Sequence, residues 1–117
     1  MKVITTEALK AKIDAGLPGQ GQTPYLIDVL SPESYAARHI PTARHLVKGA
    51  DFVERFEKEI AAPKDAEIIV YCSSATCTAS PLMGEALEKA GYRNVAHYKD
   101  GIAGWQAAGL KFDGAQA

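Results

Sequence analysis

Val70-Tyr71-Cys72-Ser73-Ser74-Ala75-Thr76-Cys77-Thr78-Ala79-Ser80-Pro81 is the stretch whose reading decides the fold. It continues the β-branched run Ile68-Ile69, so a buried strand passes into a loop of small residues and the loop passes into a helix. The helix follows from Leu82, Met83, Ala86, Leu87 and Ala90, an apolar stripe at helical spacing that stops at Gly91.

The same alternation extends outward. Residues 6–15 carry Ala8, Leu9, Lys12 and Ile13 at helical spacing and end before Gly16. Tyr25-Leu26-Ile27-Asp28-Val29, bounded by Pro24 and Ser31-Pro32, reads as a short buried strand. Ser31-Pro32-Glu33 opens a short helix that ends by His39, with a hydroxyl cap, a proline at the first position and an acid in the first turn. Residues 43–47 read as a further strand. Asp51-Phe52-Val53-Glu54 reads as a capping box ahead of a helix with Phe56 and Ile60 on one face. Residues 95–98 read as a last strand and 102–108 as a last helix, stopped by Gly109. Residues 16–24, rich in Gly and Pro, read as a mobile surface loop, and the polar tail after Phe112 as a frayed end.

Strands apolar on both faces and alternating with helices predict an α/β fold, a parallel sheet with helices on both faces. Ligands bind at the carboxyl edge of such sheets. Asp28 and Cys72 both end strands, so both are expected on one rim.

The 117 residues fit one domain spanning 1–117. Thirteen Lys and Arg against fourteen Asp and Glu give a net charge of −1 with no basic run, which argues against nucleic acid as a partner. The apolar runs are too short to span a bilayer, so no membrane is expected. Met1-Lys2-Val3-Ile4 runs straight into structured sequence with no visible signal peptide, and the expected location is cytoplasmic.

Cys72 and Cys77 carry the chemistry. A loop of small residues lets backbone N–H groups converge on one point, and the following helix start adds positive potential there. A thiol in such a cradle is drawn toward thiolate, the nucleophilic form. On spacing alone, a reactive Cys72 and an inert Cys72 serving as a small buried hydrophobe fit equally. Cys77 is expected to face the helix-packing surface. The spacing of the two falls within the range for zinc ligands, but no second Cys or His pair follows. No metal and no cofactor are expected.

With these residues in view, the chain resembles the single-domain rhodanese-like proteins of the sulfurtransferase superfamily. The matching stretches are Leu26-Ile27-Asp28-Val29, Pro32-Glu33-Ser34-Tyr35-Ala36-Ala37-Arg38-His39-Ile40-Pro41-Thr42-Ala43 and Ile69-Val70-Tyr71-Cys72. They continue with Leu87-Glu88-Lys89-Ala90-Gly91-Tyr92 and Tyr98-Lys99-Asp100-Gly101-Ile102-Ala103-Gly104-Trp105. The resemblance implies a five-stranded parallel sheet. It also implies a Cys72 that takes sulfane sulfur from a persulfide, polysulfide or thiosulfate donor and passes it, as a persulfide, to a thiophilic acceptor. The partners implied are thus a small sulfur donor and a thiol acceptor, small molecule or protein. Ser73, Ser74, Ala75, Thr76, Cys77 and Thr78 would form the substrate loop, with Asp28, Arg38 and His39 in support.

Several positions depart from the family pattern. The loop after Cys72 lacks the Arg or Lys common in thiosulfate-using members. The usual Asp-Val-Arg is Asp28-Val29-Leu30, and the usual Gly-Gly is Asp100-Gly101. The loop is also slightly longer than usual, giving a wider cradle. Arg38 fits two readings equally, a substitute cation from outside the loop or a solvated surface arginine; His39 is expected to pack and hydrogen-bond rather than act as a base, and Trp105 to anchor the last helix. Weak thiosulfate activity is therefore expected. Two other readings stand beside the enzyme. One is a non-catalytic module or a Cys72/Cys77 thiol redox switch. The other, ranked low, is a phosphatase or arsenate reductase, which lacks its oxyanion-holding cation at Thr78, Ala79 and Ser80.

Overall fold

The computed structural model describes residues 1–15 and 24–116. The loop read at residues 16–24 lies outside them except for Pro24, which is buried. Five strands, β1 (Lys2–Val3), β2 (Tyr25–Asp28), β3 (Arg44–His45), β4 (Glu67–Tyr71) and β5 (Asn94–Tyr98), form one sheet in the order β1-β5-β4-β2-β3. Every neighbouring pair is parallel. The helices are α1 (Thr6–Ala15), α2 (Pro32–Ala37), α3 (Phe52–Arg55), α4 (Ala79–Lys89) and α5 (Gly101–Ala107).

Strand alternation divides the core into two layers. Ile27, Val29, Ile68, Val70, Cys72 and Val95 face α3 and α4, where Phe52, Phe56 and Leu87 cover them. Leu26, Ile69, Tyr71, Ala96 and Tyr98 face α1 and α5, where Leu9 and Trp105 cover them. Cys72 and Tyr71 therefore point to opposite sides of the sheet. Leu87 and Leu9 are fully buried, each contributing about 2 kcal/mol of transfer free energy. Trp105 does anchor α5: it is 2% exposed and its indole N–H donates to the Lys111 carbonyl at 2.8 Å.

Caps set the helix starts. Ser31 Oγ accepts from the Ser34 N–H at 3.2 Å with Pro32 in the first turn of α2, and Thr5 Oγ1 accepts from the Ala8 N–H ahead of α1. Asp51 does not form the expected capping box. Arg55, one turn on, holds its carboxylate at 3.0 Å and donates to the Val47 carbonyl at 2.6 Å, and the helix widens into a π turn at Phe56–Ile60. The strand expected at 43–47 is only Arg44–His45, although Leu46 N–H still donates to the Asp28 carbonyl. β1, whose two residues are exposed, has no counterpart in the residue-by-residue reading.

Residues 113–116 are tied down rather than frayed. Asp113 and His39 exchange backbone hydrogen bonds at 2.9 and 2.8 Å, and the Ala115 and Gln116 N–H groups donate to the Ala36 and Ala37 carbonyls that α2 leaves open at its end. Gly114 makes this possible: at φ +125° it lies where a Cβ would meet the Ala37 carbonyl oxygen at 2.6 Å. No helix among the described residues is long and apolar enough to cross a membrane.

Candidate active site at the Cys72 loop

Cys72 leaves the carboxyl end of β4 and is 1% exposed. Its sulfur is bonded to Cys77 Sγ, with the two Cα atoms 6.4 Å apart, inside the span a disulfide bridges. This corrects two expectations. Cys72 does not face an open cradle, and Cys77, expected to face the helix-packing surface, has its sulfur bonded to Cys72. α4 begins only at Ala79, so Cys77 belongs to the turn ahead of it, closed by its own N–H donating to the Ser74 carbonyl at 3.1 Å. Ser74 and Thr76 hydroxyls meet at 3.0 Å across the same turn, while Ser73, Ala75, Thr76 and Thr78 are exposed at the rim.

The base of the loop rests on α5. Ile102 and Ala103 N–H groups donate to the Cys72 and Ser73 carbonyls at 3.1 and 2.9 Å, so two of the open donors of this helix are spent on holding the loop. Gly101 permits the approach: at φ +60° its missing Cβ would lie 2.3 Å from the Cys72 carbonyl oxygen. Of the family's Gly-Gly pair, the glycine that survives here is the one this contact requires.

Asp28 stands on the opposite face of the sheet from the Cys72 side chain. It is fully buried, accepts from the Tyr71 hydroxyl at 2.7 Å and from the Leu30 N–H at 2.8 Å, and the same hydroxyl accepts from the Ile40 N–H at 3.1 Å. Burial pushes the Asp28 carboxyl above its usual range, against the pull of those two hydrogen bonds. Burial, then the Asp28 charge, pushes the Tyr71 phenol up as well. Asp28 thus fixes Tyr71, the residue from which Cys72 springs.

Arg38 reaches the loop's flank. Its guanidinium donates to Gln106 Oε1 at 3.1 Å and lies 5.7 Å from the centre of the Phe112 ring. With Leu30, Ser34, Ser73, Ala103 and Gln106 it lines a cavity of about 310 Å³, and it is the one charged side chain on that wall among the described residues. His39 is held elsewhere, its Nδ1–H donating to the Tyr35 carbonyl at 2.8 Å and its ring stacked on Tyr35 at 3.9 Å.

Two residues escaped the sequence reading. Ser80 Oγ, in the first turn of α4, lies 3.1 Å from Cys72 Sγ and 2.8 Å from His97 Nε2 on β5. Both are buried, and burial, then Lys99, pushes the His97 imidazole below its usual value. The available signal was a histidine two residues after Val95, on a strand face otherwise filled by hydrocarbon.

The family model for the rhodanese-like domain matches residues 5–108. No curated protein matches the chain. Among solved structures it is similar to the BH2092 protein of Bacillus halodurans, with 24% identity and a TM-score of 0.83 over 98% of this chain and 78% of that one. It is similar to a rhodanese-like domain protein of Staphylococcus aureus, with 24% identity and a TM-score of 0.68 over 90% of this chain and 91% of that one. It is also similar to a thiosulfate sulfurtransferase of Pseudomonas aeruginosa, with 26% identity and a TM-score of 0.76. That match covers 97% of this chain but only 20% of the other.

Proposed function

The chain belongs to the rhodanese-like domain family, and on that premise we propose that it is a sulfurtransferase whose nucleophile is Cys72. The observation that carries this reading is a cysteine at the carboxyl edge of the sheet, under a small-residue loop, with a second thiol in bonding reach. The bonded pair is the resting, oxidised form; reduction by an external thiol frees Cys72. Its thiolate attacks the outer sulfur of a persulfide or polysulfide donor, the donor's S–S bond breaks, and the donor leaves as its thiolate. An acceptor thiolate then attacks the outer sulfur of the Cys72 persulfide, carries that sulfur away and restores the Cys72 thiolate. In an alternative exit, Cys77 thiolate attacks Cys72 Sγ, hydrosulfide leaves, and the disulfide returns.

Charge separates the donors. Thiosulfate releases sulfite, whose departure calls for a cation or aligned donors at the developing charge. The loop from Ser73 to Thr78 carries no formal charge, and Arg38 stands on its flank with its guanidinium engaged by Gln106. Persulfides and polysulfides are therefore the better donors. The expected result is that Cys72→Ser abolishes sulfur transfer and Cys77→Ser only reduces it. Full activity in Cys72→Ser defeats the assignment. The disulfide favours a second reading, a thiol redox switch with no sulfur transfer; it is supported if neither the wild type nor Cys77→Ser turns over any donor.

A further inference from the structure

Behind Cys72, on the side away from the loop mouth, three buried groups stand in hydrogen-bonded series: Cys72 Sγ, Ser80 Oγ and His97 Nε2, at 3.1 and 2.8 Å. Cys72 is 1% exposed, Ser80 0% and His97 7%, so water does not compete for these bonds. We propose that Ser80 and His97 form a relay that sets the ionisation of Cys72, with Ser80 bonding the sulfur and His97 the positioning residue behind it. This deepens the sulfurtransferase reading and rests on Cys72 being its nucleophile.

The proton inventory fixes the direction of the relay. In the disulfide the sulfur has no proton, so the Ser80 O–H donates to Cys72 Sγ and its oxygen accepts from the His97 Nε2–H. In the reduced protein the Cys72 S–H can donate to Ser80 Oγ while the Ser80 O–H donates to His97 Nε2. The S–H proton then passes to Ser80 Oγ as the serine proton passes to Nε2. The products are a Cys72 thiolate, a neutral serine and an imidazolium; no bond between heavy atoms changes and nothing is oxidised. The chain ends this step with the Ser80 O–H pointing at the thiolate, the arrangement that the disulfide already displays. The same hydroxyl meets the thiolate that reappears when the persulfide gives up its sulfur.

The surroundings oppose a charge on His97, so the imidazolium of the relay depends on the thiolate that forms across Ser80. Burial and then Lys99 hold the imidazole below its usual value, which keeps it uncharged near neutrality. Its partners across the sheet are Val70 on β4 and Val3 on β1, both uncharged. On α4, Glu85 and Lys89 are exposed and Glu88 pairs with the Met1 ammonium at 3.2 Å. The relay supplies from the helix side what the loop, without Arg or Lys, does not supply from the mouth.

The test uses Cys77→Ser protein, so that only Cys72 is alkylated, and reads the pH midpoint of its reaction with iodoacetamide. Ser80→Ala is expected to raise the midpoint by about one unit, the size of one hydrogen bond to a charged group. His97→Leu is expected to raise it in the same direction, and the Ser80→Ala/His97→Leu pair no further than Ser80→Ala alone. Ser80→Thr, which keeps the hydroxyl, is expected to retain the unsubstituted midpoint. Should the leucine variant unfold, His97→Gln fills similar space, takes no proton, and is expected to shift the midpoint upward. An unchanged midpoint in folded Ser80→Ala, or shifts that add in the pair, overturns the relay. The assay needs no sulfur donor: a protein with the shifts that takes up no sulfur defeats the sulfurtransferase reading and leaves the relay standing.

Discussion

Reducing the Cys72–Cys77 bond should leave the fold standing. The two cysteines are five residues apart, and closing so short a ring removes little freedom from the unfolded chain, about 2 kcal/mol in the loop-entropy account. The rest of the framework does not pass through this ring. Ile68, Ile69, Val70 and Tyr71 are fully buried, and the β4 ladders to β2 and β5 are formed before Cys72 is reached. For a chain of this length, 1 kcal/mol moves the melting temperature by about 4 °C, so reduction is expected to lower it by about 8 °C. Thermal unfolding followed by circular dichroism, with and without reductant, measures this. Cys77→Ser should melt near the reduced wild type and ignore the reductant. A reduced protein that has lost cooperative unfolding, or a fall of about 20 °C or more, refutes the reasoning and makes the bond a structural staple.

Tyr71→Phe leaves Asp28 Oδ2 and the Ile40 N–H without a partner inside the core, and is expected to cost about 3 kcal/mol in urea unfolding at neutral pH. Asp28's folded value lies above its unfolded one, so its contribution to stability is full below the unfolded value of about 4 and is lost as pH rises through the folded value. The phenol is one of the bonds holding that value down, so the Tyr71→Phe deficit should grow between mildly acid and neutral pH; a pH-independent deficit contradicts this. Gly101→Ala places a methyl group on the Cys72 carbonyl at positive φ and is expected to cost about 2 kcal/mol or more by the same unfolding measurement. Arg38→Ala should lower catalytic efficiency with thiosulfate and leave persulfide use nearly unchanged; thiosulfate as the better donor, undiminished in Arg38→Ala, contradicts the charge argument.

The parallel α/β architecture was legible because the signals were local and strong: the β-branched run Ile68 to Tyr71, the stripe from Leu82 to Ala90, the Ser31-Pro32-Glu33 start. The family resemblance supplied the fifth strand, since Lys2 and Val3 lie exposed at a sheet edge and show no apolar alternation. Local pattern failed where one contact displaced another. Asp51 has the form of a capping residue, but Arg55 competes for its carboxylate. Cys77 lies in a turn two residues ahead of α4, and that turn rather than the helical stripe sets where its sulfur points. Ser80 and His97 are seventeen residues apart and meet only because α4 packs across β5, a geometry that periodicity does not encode. Arg38's position on the cavity wall likewise depends on α5 bringing Gln106 to it.

The central claim is that Cys72 carries sulfur, and the direct measurement is mass spectrometry of the Cys72 peptide. The protein is reduced, freed of reductant and exposed to glutathione persulfide or polysulfide. The expected result is a gain of the mass of one sulfur atom on Cys72, absent in Cys72→Ser and removed by an added thiol acceptor. Cys77→Ser should hold that sulfur longer, because its internal route to the disulfide is gone. A Cys72 that takes up no sulfur in either the wild type or Cys77→Ser, with only the Cys72–Cys77 disulfide forming in the wild type, would contradict the claim.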